Sequence, residues 1–421
     1  MSSKIYLDCT MTVRTGLNTG IQRVVRNISC RGDLALGKGK TFIPIICLLG
    51  RYYRISLEEV SFTPDSKVTS ARRAKEALEL IRKRTSGRGI FTVLTHKLLL
   101  LMEKFLRLIQ SALATVKQIV EAWRRRTDRV YFEKDSTVVF LDSFWLYNVV
   151  SAFKRADHGV RHVTTVVYDL IPILHPEYMD ISVRRQFGKS FLKLSNITDS
   201  FLCISQTVAE DVRKYLSASK IEGKKITSFT LGSDFHDKKF QSADLGGQTF
   251  PEGNIWLVVG TLEPRKNHKF ILDAFDVLWK RDSSDILVIV GRAGWMYDEL
   301  IERIQSHPCL NTKLFYFSSV SDLQLSELYR RAKGLILASY VEGFGLPIVE
   351  ALEASLPVLC SDIPIFREVG RHYVRYFSLE NLESLVDAIT APDGSVNQQF
   401  KWPTWDDSAK EFIDKLEILK A

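Results

Sequence analysis

The sequence lacks the features that define several classes of protein. No run of about 18 apolar residues is present, so we expect no transmembrane helix. The six cysteines form no CxxC pair. Four of them (Cys9, Cys47, Cys203 and Cys360) lie in or beside apolar, strand-like runs, where thiols usually act as small apolar side chains. We therefore expect no disulfide framework, and a reducing compartment fits better. The first residues lack the apolar core of a secretory leader, so none is expected.

Three cofactor motifs are also missing. A dinucleotide-dependent oxidoreductase would carry G-x-G-x-x-G after a strand, and a kinase or ATPase would carry GxxxxGK[ST]. Neither occurs, and no Asp-x-Asp motif occurs for a metal that binds a nucleotide sugar. We therefore expect a ligand site built without these elements.

What the chain does contain is a regular alternation of short β-rich runs and amphipathic helical segments, which predicts an α/β fold with parallel sheets. The 421 residues exceed what one core usually holds, so two domains are expected. A Gly-, Gln- and Ser-rich stretch at 241–253 indicates the linker between them. In doubly wound sheets ligands bind at the carboxyl ends of the strands, so the cleft between the domains is the expected site. The predicted strands are Ile5–Cys9, Phe42–Leu48, Thr137–Leu141, His162–Tyr168, Ser200–Ile204, Ile255–Gly260, Ile286–Gly291, Leu314–Phe317, Leu335–Ala338 and Val358–Cys360.

The net charge of +9 is concentrated in one region, 71–129, which interrupts the alternation and holds 15 Lys and Arg against 5 Asp and Glu. Apolar residues recur there at steps of three or four, at positions 98, 101, 105, 108, 112, 116, 119 and 123, which predicts an amphipathic helix. Its basic flanks suit an anionic membrane surface or a partner protein. The alternative is a long helix packed on its own domain with solvated charges outside. A nucleic-acid-binding protein would instead interleave basic and aromatic residues.

The most informative stretch is Leu335–Glu350, a predicted strand that runs into a glycine-rich loop and then a helix opened by Pro347. Glycines let a ligand approach the backbone, and free N–H groups at a helix start bind phosphate or sugar oxygens. Glu342 and Glu350 bracket the loop, and each carboxylate can accept hydrogen bonds from neighbouring sugar hydroxyls. The pattern suits a ligand with a phosphate in the middle and a hydroxylated ring at each end.

Several segments together resemble the retaining glycosyltransferases of family 4, which have the GT-B fold. The loop resembles that family's EGFGLPxxE signature. The other matching segments are Gly260–Asn267 (GTLEPRKN), Ser361–Gly370 (SDIPxxREVxG) and Thr404–Ala409, and more weakly Gly16–Asn27, Tyr168–Glu177 and Leu231–Asp234. The resemblance implies two Rossmann-like doubly wound domains that face a cleft.

The domain boundaries follow from these observations together. We expect an N-terminal acceptor-binding domain over 1–240, with the basic helical insertion at 71–129, and a nucleotide-sugar-binding domain over 254–403 after the linker at 241–253. By resemblance, a C-terminal helix over 404–421 returns to the first domain.

Roles in the second domain are also implied by the resemblance. Arg265 and Lys266 bind the donor diphosphate, Glu350 holds the ribose and Glu342 holds the transferred sugar. Fixed cations suit this chemistry, because the departing diphosphate gains negative charge, and no metal or other cofactor is expected. The alternatives are a solvated helix start for the two cations and a carboxylate favoured by the helix dipole for Glu350. Further donor contacts are expected from Gly20, Gly260, Thr261, Gly343, Phe344, Gly345 and Leu346.

In the first domain, Thr19 is a candidate N-cap, and Arg23 either reaches the phosphate or lies on the helix surface. Many relatives carry His-Asp where this chain has Tyr168-Asp169. Asp169 is a candidate for orienting or deprotonating the acceptor hydroxyl, with a loop cap as the alternative. His175 is a weaker candidate, with a satisfied loop histidine as the alternative.

The resemblance implies a hexosyltransferase that moves mannose from GDP-mannose, with retention, to a growing glycan of lipid-linked O-antigen, capsule or lipopolysaccharide. It would work in the cytoplasm at the inner face of the cytoplasmic membrane and bind no nucleic acid. Two alternatives are a rhamnosyl- or UDP-sugar-dependent transferase of the same family and an inactive sugar-nucleotide-binding partner. A GT-B phosphorylase would need a much longer chain.

Overall fold

The protein is described by a computed structural model, which covers residues 3–16, 19–61, 109, 111–234, 250–391 and 400–420. Two parallel sheets, each with helices packed against it, form two doubly wound units. The predicted α/β fold class is therefore confirmed. Most of the predicted insertion, and residues 241–249 of the predicted linker, lie outside the described residues.

The first sheet has eight strands in the order β4-β3-β2-β1-β5-β6-β7-β8. Six neighbouring strands (β2, β1, β5, β6, β7 and β8) are parallel to one another. At one edge of the sheet β3 pairs antiparallel with β2 and with β4, which the sequence did not predict. The strands are β1 (Ser3–Asp8), β2 (Lys40–Leu48), β3 (Arg51–Arg54), β4 (Arg129–Val130), β5 (Thr137–Phe140), β6 (His162–Val167), β7 (Ser200–Cys203) and β8 (Lys225–Ser228).

The second sheet has six parallel strands in the order β11-β10-β9-β12-β13-β14. The strand order reverses between β9 and β12, which is where the carboxyl ends of a doubly wound sheet leave a crevice for a ligand. The strands are β9 (Ile255–Val259), β10 (Ile286–Val290), β11 (Leu314–Phe317), β12 (Gly334–Leu337), β13 (Val358–Ser361) and β14 (Arg375–Phe377).

The helices of the described residues cover the two sheets. In the first half they are α1 (Thr10–Thr15), α2 (Gly20–Ser29), α3 (Gly32–Gly37), α4 (Leu57–Ser61), α5 (111–124), α6 (Val149–Ala156), α7 (Ile171–Leu174), α8 (Ile181–Ser195) and α9 (Gln206–Ala218). In the second half they are α10 (His268–Lys280), α11 (Asp298–Gln305), α12 (Asp322–Arg331), α13 (Leu346–Glu353), α14 (Pro364–Gly370), α15 (Leu382–Thr390) and α16 (Trp405–Lys420). Short 3₁₀ turns include Pro176–Tyr178 and Pro264–Lys266.

The central strands are buried on both faces because helices cover each side of the sheet, and apolar residues therefore predominate in them. All four residues of β5 and all five residues of β10 are buried. Cys9, Cys47, Cys203 and Cys360 are buried free thiols, as expected from their apolar surroundings.

The last helix, α16, packs against the first sheet although it follows the second domain in sequence. Phe412 is fully buried and its ring contacts Phe229 and Phe42, with centroid distances of 5.3 and 6.5 Å. Lys40 pairs with Glu417 at 2.9 Å, and the start of the helix is fixed by Arg31, which pairs with Asp406. The chain therefore runs from the first unit to the second and back again.

The described part of the predicted insertion contains α5, whose apolar side chains are exposed. Five of them are between 43% and 66% exposed: Leu113, Val116, Ile119, Val120 and Trp123. Nothing in the described chain covers this face. No helix among the described residues is long and apolar enough to cross a membrane.

Candidate active site

The carboxylate of Glu342 is held between two cations at the crevice of the second sheet. Arg265 and Lys266 lie in the 3₁₀ turn that follows β9, and Glu342 lies in the loop that follows β12. The Glu342 carboxylate is 2.5 Å from Arg265 Nη1 and 2.6 Å from Lys266 Nζ, and it accepts a hydrogen bond of 3.0 Å from Ser339 Oγ. The sequence thus places these three residues in one cluster because β9 and β12 are neighbours in the sheet.

Charge compensation keeps this cluster ionised. Burial acts to raise the pKa of Glu342, but Arg265 and Lys266 outweigh it and lower the pKa to about 2. Arg265 also donates to Glu263 at 2.8 Å, and the two carboxylates raise its pKa although burial acts in the opposite direction. Since both cations are largely buried, the alternative of a solvated helix start is wrong.

The glycines around the cluster differ in why their positions require glycine. Gly260 has a φ of 151°, and the Lys266 side chain passes about 3.0 Å from the position a Cβ would take. A Cβ on Gly343 would lie 2.2 Å from the carbonyl oxygen of Tyr168, so any side chain there would clash with the first domain. Gly345 has a φ of 106° at the start of α13. Gly20 has open space around it, so no contact within the described protein demands glycine there.

The helix α13 begins without a side-chain cap and without an acidic residue in its first turn. Pro347 has no N–H and the Ile348 amide donates to the Gly345 carbonyl at 2.9 Å, which leaves the Leu346 amide suited to an anion. Gly343, Phe344, Gly345 and Leu346 lead into this turn, and Pro347 occupies its start as predicted. Thr261 follows Gly260 after β9, next to the turn that carries the two cations.

Asp169 reaches the cluster from the first domain. It follows β6, and a Cβ on Gly343 would lie 3.3 Å from the Asp169 Cβ. Burial raises the pKa of Asp169 to about 6, although Arg265 acts to lower it. Asp169 Oδ1 also accepts a hydrogen bond of 3.0 Å from the amide of Ile171, so the residue caps its loop as well as facing the cluster. His175 is 41% exposed, lies 3.5 Å from Glu177 and stacks on the ring of Tyr178.

Glu350 is buried and is bound from both domains. Its Oε1 is 2.7 Å from Arg23 Nη1, and its Oε2 accepts a hydrogen bond of 3.1 Å from Tyr329 Oη. Arg23 therefore does not merely lie on the surface of α2, which was the alternative to a phosphate contact. Thr19 occupies the N-cap position of α2, as predicted, although its hydroxyl donates to Gln22 and does not cap the helix.

Other contacts join the two walls of the cleft. Glu368 of α14 accepts hydrogen bonds of 2.7 and 2.9 Å from the amides of Gln206 and Thr207 at the start of α9. Ser205 Oγ donates to the carbonyl of Gly343 at 3.1 Å. The rings of Tyr178 and Tyr340 stack with a centroid distance of 5.4 Å. These contacts bring the predicted residues of both domains to one place.

Two groups near the cleft were not found by reasoning from the sequence. His268 and Asn267 are buried next to the cation pair, and among the described residues neither His268 Nδ1 nor Asn267 Nδ2 has a hydrogen-bond partner. Burial, together with Lys266 and Arg265, lowers the pKa of His268 to about 3, so its ring is neutral. The sequence could have indicated these two residues, because they directly follow Lys266.

The second group is a pair of buried acids at the carboxyl ends of β1 and β5. Asp8 Oδ2 accepts a hydrogen bond of 2.5 Å from Tyr147 Oη, and Asp142 Oδ2 accepts one of 2.6 Å from the amide of Thr12. Burial and the nearby Asp142 raise the pKa of Asp8 to about 7. The available signal was an acid at or just after the carboxyl end of each of two predicted strands.

Comparisons with known proteins agree with this architecture. Residues 246–391 match the family model described as glycosyl transferases group 1. The chain is 35% identical over 312 residues to the serotype-specific mannosyltransferase WbdA of Escherichia coli, which covers 69% of this chain and 38% of that protein. It is 30% identical over 243 residues to the O-antigen chain mannosyltransferase RfbU of Salmonella typhimurium, covering 55% of this chain and 64% of that protein.

A solved structure extends the likeness to both domains. The sucrose-phosphate synthase of Thermosynechococcus elongatus superposes with a TM-score of 0.54 at 12% identity, covering 99% of this chain and 96% of that one. This likeness concerns the fold alone. The chain spans less than two-fifths of the length of WbdA, the first of the two relatives. Residues 246–391 thus form a glycosyl transferases group 1 domain, and the fold of the chain is GT-B.

Proposed function

We propose that this protein is a retaining glycosyltransferase that moves mannose from GDP-mannose to a growing cell-surface glycan. The observation that carries the proposal is the Glu342 carboxylate held by Arg265 and Lys266 at the strand-order reversal of the second sheet, with Asp169 facing it from the first domain. The names of the O-antigen mannosyltransferases that match the chain support mannose as the sugar and an O-antigen, capsule or lipopolysaccharide glycan as the acceptor.

In this proposal each residue has a defined task. Arg265 and Lys266 bind the diphosphate and stabilise the charge that grows as it departs. The Leu346 amide at the start of α13 binds a phosphate or sugar oxygen, Glu342 orients the transferred sugar, and Glu350 holds the ribose. The two fixed cations make the reaction independent of a metal ion.

Asp169 acts on the acceptor hydroxyl. Its pKa of about 6 leaves it mostly ionised at neutral pH while keeping it a usable base. It therefore orients the acceptor hydroxyl and takes part in removing its proton. The carbonyl of Tyr168 against Gly343 fixes the distance between Asp169 and the donor loop.

The cellular placement is part of the same proposal. The acceptor is borne on a lipid, and the protein reaches it from the cytoplasm by binding the inner face of the cytoplasmic membrane through 71–129. Trp123 is 66% exposed on α5, and the guanidinium of Arg126 lies 4.8 Å from its ring centroid. An exposed aromatic beside cations suits the interface of an anionic bilayer.

A panel of sugar nucleotides tests the donor. A ligand that binds the native state stabilises it by about 2.7 kcal/mol at a hundredfold excess over its Kd. We expect GDP-mannose to raise the melting temperature by several degrees, and UDP-glucose and dTDP-rhamnose to have little effect. A shift by one of the latter instead would overturn mannose and leave a glycosyltransferase, whereas no shift with any donor would overturn the donor site.

A matched pair of variants locates the binding. Lys266→Met removes one cation from the cluster and should abolish the shift, whereas Lys269→Met removes an exposed cation three residues away and should leave it intact. Transfer to a lipid-linked acceptor in excess EDTA, with the product anomer read by NMR, tests metal independence and retention. Loss of transfer in EDTA, or an inverted anomer, would contradict the corresponding part of the proposal.

A further inference from the structure

The contact between Arg23 and Glu350 joins two residues that belong to different walls of the cleft. Arg23 lies one turn into α2 of the first domain, and Glu350 lies one turn into α13 of the second. Their charged atoms are 2.7 Å apart, and the carboxylate raises the pKa of Arg23. The ion pair is therefore a direct link across the proposed donor site.

Both carboxylate oxygens of Glu350 are already used by the protein, since Arg23 contacts Oε1 and Tyr329 contacts Oε2. A ribose held by Glu350 must replace one of these partners. Tyr329 is fully buried in the same domain as Glu350, whereas the Arg23 side chain is 32% exposed and comes from the opposite wall. Arg23 is thus the partner that can move away from Glu350.

The start of α13, where the proposed function places the diphosphate, lies within reach of the guanidinium. Glu350 follows Leu346, the first residue of α13, by four positions, which corresponds to a rise of about 6 Å. A phosphate on the Leu346 amide would therefore lie about one helical turn from the Arg23 guanidinium. A change of side-chain rotamer covers such a distance.

We propose that Arg23 exchanges the Glu350 carboxylate for the diphosphate of the donor when the donor binds. The ribose takes the oxygen that Arg23 leaves, and the diphosphate supplies the guanidinium with a new anionic partner. Arg23 thereby makes ribose binding depend on the diphosphate, and the site discriminates against nucleosides that lack phosphate. This inference rests on the proposed function, because it takes the ribose and diphosphate positions from it.

The exchange predicts a different effect on ligand binding than an ion pair that only holds the two domains together. A nucleoside alone breaks the ion pair and offers the guanidinium nothing in return, because it carries no anion. A nucleoside diphosphate restores the lost interaction. If the ion pair only held the domains together, its removal would change the affinities for both ligands by the same factor.

The test compares binding of GDP and guanosine by titration calorimetry with the whole chain. We expect Arg23→Met to bind guanosine more tightly and GDP more weakly than wild type, so that the preference for GDP falls at least tenfold. Arg31→Met is the matched control, since it removes ion pairs to Asp234 and Asp406 that do not involve Glu350, and it should keep the wild-type preference. UDP and uridine replace these probes if the donor panel identifies a uridine nucleotide.

A second variant keeps the test independent of a general loss of fold. In Glu350→Gln the ion pair is already absent, so adding Arg23→Met should give no further tightening of guanosine. An unchanged preference in Arg23→Met, or an equal loss for both ligands, would overturn the exchange. Wild-type protein that binds no nucleoside diphosphate would instead contradict the proposed function.

Discussion

At the scale of single residues, the cleft holds carboxylates in opposite electrostatic situations. Glu342 stands between two cations, which lower its pKa to about 2 and keep it charged. Among the residues that the structure describes, no cation pairs with Asp8, which is bound by the hydroxyls of Tyr147 and Thr10, so burial raises its pKa to about 7. The first arrangement suits binding of a polar ligand, whereas the second couples protonation to stability.

The raised pKa of Asp8 predicts a loss of stability as the pH rises. Between about pH 4 and pH 7 the folded protein keeps a proton that the unfolded carboxyl has lost, so each pH unit in this window lowers the free energy of unfolding by up to about 1.4 kcal/mol. Asp8→Asn resembles the protonated acid and lacks this dependence. Urea denaturation at pH 5, 6, 7 and 8 should therefore show the variant gaining stability relative to wild type as the pH rises.

Asp362→Asn provides the control for that prediction. Asp362 is an exposed carboxyl whose hydrogen bonds with Arg367 lower its pKa, so its ionisation is complete well below this window. Its stability difference from wild type should stay constant from pH 5 to pH 8. Parallel pH curves for wild type and Asp8→Asn would contradict the assignment.

The sequence predicted which residues come together where each of them directly follows a strand. Arg265, Lys266 and Glu342 come together because each follows one of two neighbouring strands. The partner of Glu350 could not be predicted in the same way. Arg23 is more than three hundred residues away in sequence and in the other domain, and only the arrangement of the two domains brings the charges within 2.7 Å.

At the scale of elements, local signals predicted the central strands better than the sheet edges. The central strands are predominantly apolar, as expected for strands covered by helices on both faces. The edge strands β3, β4, β8 and β14 were not predicted, because they are short and carry polar residues such as Arg51, Arg54 and Arg375. Their strand conformation depends on a neighbouring strand rather than on their own sequence.

Helix α16 shows how one element contributes to the stability of a distant part of the chain. Phe412 is fully buried against Phe42 and Phe229, so Phe412→Ala should lower the free energy of unfolding by about 3–5 kcal/mol. Ile418 lies on the same helix and is 62% exposed, so Ile418→Ala should change it by less than about 0.5 kcal/mol. Equal effects in urea denaturation would show that α16 does not pack as described.

At the scale of the whole molecule, the cleft and the basic region are separate features. The cleft is lined by paired charges, whereas the surplus of positive charge lies in 71–129. The net charge of +9 alone does not separate the two features. The structure separates the cleft, where Glu342 and Glu350 each pair with cations, from the exposed apolar face of α5.

Membrane binding through α5 can be measured by sedimentation with vesicles. We expect wild-type protein to bind vesicles that contain about 30% phosphatidylglycerol and to bind pure phosphatidylcholine weakly. Trp123→Glu should weaken the binding about tenfold, because it removes apolar area and adds a negative charge at the interface.

Leu36→Glu is the matched control, since Leu36 is 60% exposed on α3 and lies outside the basic region. It should bind as wild type does. Equal binding to both kinds of vesicle, or equal loss in both variants, would count against an anionic membrane as the partner of α5.

The return of α16 also means that the first domain is not one continuous segment of the sequence. A fragment that stops after β8 would expose the apolar surface that Phe412 covers, including Phe42 and Phe229. Conversely, a backbone cut between residues 234 and 250 leaves the second fragment carrying a helix that belongs to the fold of the first. The two pieces would therefore be held together by fragment complementation rather than by a covalent link, and separate expression of the halves on either side of the linker would divide one core between two polypeptides.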